Sequence, residues 1–219
     1  MKLHFSHLSV CHLENIPYLC DANNVTTDME IKSIKNVFRL AKKALLALSA
    51  IILLTGCATK SQTLIVSCNY DDKKDITNYW VFPRGEVNLP GKWDRVAYNE
   101  SSGQQFFMNP DSSIVAVAFP RPDEFEFNAD GALKGNDFLK AFYDWESEYF
   151  KSYGIETPVI ETDTVNHYII FRALNNKYDS YFLFGERNGH ISNLSMDTRS
   201  SKRLENEIVK FLKDLFLKD

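Results

Sequence analysis

Three short runs limit what this chain can fold into: IVAV (114–117), YIIF (168–171) and YFLF (181–184). Alternate residues of a strand point to opposite faces, so Ile169 and Phe171 oppose Tyr168 and Ile170. Likewise Tyr181 and Leu183 oppose Phe182 and Phe184, and Ile114 and Ala116 oppose Val115 and Val117. Strands apolar on both faces belong to a sheet covered on both sides. Two amphipathic stretches can supply the covers. In NDFLKAFYDWESEYFKSYG (136–154), Phe138, Phe142, Trp145 and Tyr149 form one stripe at helical spacing. Asn136 or Asp137 is placed to cap this helix, and Gly154 to end it. In SSKRLENEIVKFLKDLFLKD (200–219), Leu204, Ile208, Phe211, Leu212 and Leu215 share a face.

Turn chemistry sets the strand direction. ESSG (100–103), NPDS (109–112) and Asn188-Gly189 mark tight reversals, and Asn-Gly favours a two-residue hairpin turn. The pairing is therefore antiparallel. The expected class is α+β, an antiparallel sheet covered by helices in an α/β sandwich. The expected element order is β-β-β-α-β-β-β-α, with helices at 137–153 and 200–217. TLIVSC (63–68) reads as a further strand.

A second constraint lies upstream. Lys32, Lys35, Arg39, Lys42 and Lys43 precede an apolar run from Ala44 to Leu54, and Leu54-Thr55-Gly56-Cys57 follows. A helix of that run spans about 16 Å at 1.5 Å per residue, half of a bilayer core of about 30 Å. Positive segment, short apolar segment and small residues before Cys57 are the parts of an export signal, cut between Gly56 and Cys57. The alternative is a buried apolar helix that happens to end in Gly-Cys.

Leu54-Thr55-Gly56-Cys57 resembles the lipobox of bacterial membrane lipoproteins. The resemblance implies a diacylglycerol on the Cys57 thiol, removal of the leader, and often acylation of the new amino group. Several acyl chains anchor stably where one is marginal. It implies a cell-envelope location with the membrane as a partner through the acyl chains. Ala58 is not the aspartate that retains such proteins at the inner membrane. In a Gram-negative cell the resemblance therefore favours the outer membrane, and otherwise the outer leaflet of the plasma membrane. The expected organisation is an upstream extension (1–28), a signal peptide (29–56), a polar tether (57–62) and one globular domain (63–219). Met29 stands where such a leader normally starts. His4, His7, Cys11, His12 and Cys20 are zinc-ligand types, but their spacing fits no finger pattern.

VNLPGKWDRVAYNESSGQQFFMNPDSSIVAVAF (87–119) precedes the first helix, and its element order is similar to the PsbP-like fold. The resemblance covers residues 85–219 in element order only. Members of that fold mostly bind other proteins or act as accessory factors.

Composition narrows the function. Residues 57–219 carry 19 Lys/Arg against 25 Asp/Glu, so the body is acidic. Nucleic-acid binding needs a basic footprint, and no nucleic-acid partner is expected. G-x-S-x-G, H-E-x-x-H, P-loop and dinucleotide-binding patterns do not occur, and no catalytic residue or cofactor is assigned. With Cys57 acylated, Cys68 has no disulfide partner and reads as a small apolar strand residue.

His167 and His190, with Asp163 or Glu186, are the residue types of a metal site or a hydrolase. Solvated strand-end histidines are the plainer reading, and no metal is assigned. Asp144, Glu146 and Glu148 read as the solvated face of the first helix, although Asp144 and Glu148 share a side at i, i+4. Tyr79, Trp80, Phe82 and Trp93 read either as core or as an aromatic platform. Phe125 and Phe127, in the acidic loop PDEFEF (122–127), read as exposed apolar residues that need a partner. The interaction candidates are therefore Phe125, Phe127, Trp80 and Trp93. The expected role is a lipid-anchored module that binds another envelope protein or a small ligand. The alternative is an envelope hydrolase or metal-dependent enzyme using His167 and His190.

Overall fold

The strands of a computed structural model form two antiparallel sheets. The structure describes residues 63–218. The leader, Gly56, Cys57 and the polar tether lie outside the described residues. The smaller sheet has the order β1-β2-β3, from Ile65–Asp71, Ile76–Phe82 and Gly85–Pro90. The larger one has the order β4-β5-β6-β10-β9-β8-β7. Its strands are Asp94–Asn99 (β4), Gln104–Met108 (β5), Ile114–Ala118 (β6), Val159–Asp163 (β7), Tyr168–Leu174 (β8), Asp179–Arg187 (β9) and His190–Asp197 (β10). Helix α1 spans Gly135–Ser152 and helix α2 spans Glu205–Leu217. The class is α+β with antiparallel pairing throughout the larger sheet.

The two-faced strands do lie between two covers. On one face Ile169, Phe171, Phe182, Phe184 and Ile191 pack with Phe138, Leu139, Phe142 and Phe150 of α1. On the other, Tyr168, Ile170, Tyr181, Leu183, Leu194 and Met196 pack with Ile208, Phe211, Leu212, Leu215 and Phe216 of α2. Tyr79, Val81, Val87 and Leu89 of the small sheet complete that second layer beside Val115, Val117 and Phe107. Each such side chain, fully buried, contributes about 1.5–3 kcal/mol by leaving water.

Six strands precede α1, not three. The small sheet is hard to read because β2 carries large aromatic residues on its outward face. Thr77, Tyr79 and Val81 point inward, while Asn78, Trp80 and Phe82 point away. Aromatic residues on the outer face blur the period-two signal.

Both helices begin differently from expectation. Neither Asn136 nor Asp137 caps α1. The Gly135 N–H instead donates to Glu186 Oε2 on β9 at 2.7 Å, a carboxylate at the positive end of the helix. Gly154 does end it, at φ +67°. Its N–H donates to the Lys151 carbonyl and the Ile155 N–H to the Phe150 carbonyl, which satisfies the last turn. Helix α2 starts at Glu205, because the Leu204 N–H donates to Glu207 Oε2 at 2.9 Å, and Leu204 itself is exposed. No helix among the described residues is long and apolar enough to cross a membrane.

Candidate binding cleft

Asn188 and Gly189 both adopt positive φ, 53° and 78°, as the tight turn between β9 and β10 requires. That turn sets Arg187 opposite His190. Facing it is the β2–β3 hairpin, where Trp80 lies opposite Glu86. The end of α2 closes the third side with Phe216. Gly185 makes this close approach feasible, since a Cβ there would lie 2.5 Å from Phe216 Cζ. Arg187 Nη1 donates to the Phe216 and Leu217 carbonyls at 3.1 and 3.0 Å, which holds the helix end over the sheet.

The result is a cleft of about 430 Å³. Trp80, Phe82, Pro83 and Phe216 give it apolar walls, and Glu86, Arg187 and His190 give it charge and hydrogen-bonding groups. Phe82 is 60% exposed and Trp80 half-buried. An apolar lining with a few polar groups is the usual make-up of a small-molecule or peptide site.

Of the interaction candidates, only Trp80 reaches this cleft. Trp93 is core: it stacks on Phe211, with ring centroids 5.9 Å apart, and its indole N–H donates to the Pro90 carbonyl. Tyr79 is core as well, while Phe82 joins Trp80 on the cleft wall.

The exposure expected for Phe125 and Phe127 is corrected. Phe125 is 4% exposed, and its ring meets Phe127, Phe138, Phe142, Trp145 and Phe184. Phe127 is partly buried against the same core. Their loop folds down in two 3₁₀ turns, Pro122–Glu124 and Glu126–Asn128. Buried Asn128 fastens it, donating to the Pro122 and Leu133 carbonyls and accepting from the Leu133 N–H. Arg84 grips Glu124 from the other side, at 2.8 Å.

His167 and His190 do not converge. The His190 side lies on the α2 face of the sheet, in register with Ser192 and Leu194. His167 lies on the α1 face, its Nδ1 3.0 Å from Asn136 Oδ1. Strand β9 runs between them: the His167 carbonyl accepts from the Glu186 N–H, and His190 pairs with Arg187. Glu186 is committed to the start of α1. Asp163 accepts from the Val165 and Asn166 N–H groups and the Asn166 amide, which hold its carboxyl down to about 2. No group of three or more His, Cys, Asp or Glu that could hold a metal occurs among the described residues. The proposed pair of histidines is therefore split across the sheet.

Glu146 is the residue that sequence reasoning misplaced. It is 1% exposed, and neither carboxylate oxygen has a hydrogen-bond partner. Burial pushes its carboxyl up to about 8. A signal was present: Leu139, Phe142, Glu146 and Phe150 follow the helical spacing of the buried stripe. Asp144 does face solvent, bonded to Lys140. Cys68 is partly buried against the core, and burial pushes its thiol up, opposite to what a reactive thiolate needs.

No family model matches the chain, and no curated protein matches it. Among solved structures it is similar to the solution structure of cyanobacterial PsbP (CyanoP) from Synechocystis sp. PCC 6803. The two are 14% identical over 73% of this chain and 94% of that one, with a TM-score of 0.39. Overlap that low says nothing about a ligand or partner, and the α+β class rests on the strands and helices themselves.

Proposed function

We propose that this chain is a lipid-anchored protein of the cell envelope that acts as a binding or accessory module, with the cleft at Trp80, Phe82, Arg187 and His190 as its binding site. The anchor part of the reading rests on Leu54-Thr55-Gly56-Cys57 and the charged and apolar segments before it. The observation that carries the binding part is the cleft itself. It has aromatic walls, with Glu86, Arg187 and His190 as charged and hydrogen-bonding rim groups. The occupant is another envelope protein or a small ligand.

A photo-crosslinking residue at Ser192, inside the cleft, tests this in intact cells. The reading expects one defined adduct mass at Ser192 and none from the same probe at Lys73, a residue outside the cleft. Unmodified protein at both positions would remove the binding role.

A further inference from the structure

The point where the chain enters the domain decides what lies against the cleft. Strand β1 begins at Ile65, which pairs directly with Phe82 at the end of β2. The β2–β3 turn follows, and Gly85 abuts Phe119 so closely that a Cβ would lie 2.5 Å from its ring. Phe119 follows the end of β6. There Val117 is opposite Gln105, just after the β4–β5 turn, and Ala118 is opposite Asn193, near the start of β10. The β2–β3, β4–β5 and β9–β10 turns therefore gather at the end of the sandwich where the chain enters. A second cavity of about 240 Å³ confirms the gathering, since Leu64, Val66, Arg84, Tyr98, Gly103 and Pro120 line it together.

This end exposes apolar surface. Ile65 is 54% exposed, Phe82 60% and Tyr98 55%, with Leu64 and Val66 beside them. Residues 57–63, from the cysteine that the anchored reading acylates, lead into this surface at Leu64. Fully extended, they span at most about 25 Å, at roughly 3.5 Å per residue. An anchor at Cys57 thus keeps the apolar end within that distance of the bilayer. Tryptophan and other aromatic residues favour the membrane–water interface, and apolar surface is stabilised there. The acidic body, with 19 Lys/Arg and 25 Asp/Glu over 57–219, gives no electrostatic pull towards anionic lipid.

From this juxtaposition we infer that the domain seats its tether end on the bilayer, with Ile65, Trp80 and Phe82 at the lipid interface and the cleft open to membrane lipid. The inference rests on the anchored reading and names the class of ligand for the same cleft. Contact is apolar, so it is insensitive to salt. Arg187, whose Nη1 holds the end of α2, and His190 line the polar side of the same cleft.

The full chain, isolated from membranes, is reconstituted into vesicles of phosphatidylethanolamine and phosphatidylglycerol with brominated acyl chains. Quenching of tryptophan fluorescence is the readout, and mass spectrometry of the Cys57 peptide is run on the same sample. Seating predicts quenching that Trp80→Phe removes, because Trp93 is buried and Trp145 lies with the α1 core. It predicts at least a twofold loss in Ile65→Ser/Phe82→Ser, and no change between 0.1 and 1 M salt. Acylated protein with unquenched Trp80 overturns the seating and leaves the anchor standing. Quenching that the double variant does not change also overturns it, as does shielding of Trp80 seen in native membranes but not in lipid vesicles, which would assign the surface to a protein. An unmodified Cys57 thiol overturns the anchor and the seating together.

Discussion

Glu146 sits between Phe142 and Phe150 at the spacing of one helix face, with no partner for either oxygen. Its cost depends on pH with a definite sign. Below about 4.5 the folded and unfolded chains both hold the proton, and only the pH-independent cost of burying an unpaired carboxyl remains. From there to about 8 the folded chain keeps a proton that the unfolded chain has released. Stability then falls by about 1.4 kcal/mol for each pH unit gained. Glu146→Gln should flatten that slope and exceed the native chain in urea-unfolding stability at pH 7, with near equality at pH 4.5. Parallel curves for the two proteins would contradict the burial. Asn193 Oδ1 is a second unpaired group. It shares its face with its cross-strand partner Phe184, on the side of the sheet that α1 covers. Gly185 makes an independent prediction. Gly185→Ala forces Phe216 off the sheet and should cost about 1–3 kcal/mol, as overpacking does, with part of the loss recovered in Gly185→Ala/Phe216→Leu. The sequence shows the apolar stripe that includes Glu146. Three acids within five residues, however, read as a polar face, because spacing alone does not say how far a stripe extends around the helix.

Among the elements, hairpins and helices were the most legible. Asn188-Gly189 and Gly154 each need a left-handed backbone that few residues adopt, so their chemistry names the turn directly. The loop at 120–134 was not legible. Its composition is polar and proline-rich, yet Asn128 and the Arg84–Glu124 pair fold it into the core. Both contacts join residues across turns or sheets, which no local pattern encodes. Phe125→Ala separates the two roles for this loop. As core it should cost about 3–5 kcal/mol, whereas an exposed partner-binding residue would change stability by no more than about 0.5. The start of α1 was missed for a similar reason, since its cap comes from Glu186 on β9. Glu186→Ala should cost about 1 kcal/mol, the usual loss for a helix cap, and raise hydrogen exchange in the first turn of α1. Unchanged exchange there would show that the bond at Gly135 carries no weight.

For the molecule as a whole, the two-sided sheet was the part the sequence specified best. Strands apolar on both faces admit few architectures, and α1 and α2 cover the faces as their stripes require. The small β1-β2-β3 sheet was the part it specified least, because Trp80 and Phe82 point outward where polar residues are expected. Those same residues form the cleft, so the position hardest to assign to the fold is the one assigned to binding. The histidine pair is split for a topological reason: His167 lies level with Glu186 and His190 level with Arg187, on either side of β9, and that offset of one residue puts them on opposite faces. The central claim is that this domain works at a membrane on a lipid anchor, and mass spectrometry of its N-terminal peptide from the membrane fraction tests it most directly. The account predicts Cys57 as the first residue with a diacylglyceryl group on its sulfur; an intact peptide spanning Gly56-Cys57 with a free thiol would contradict it.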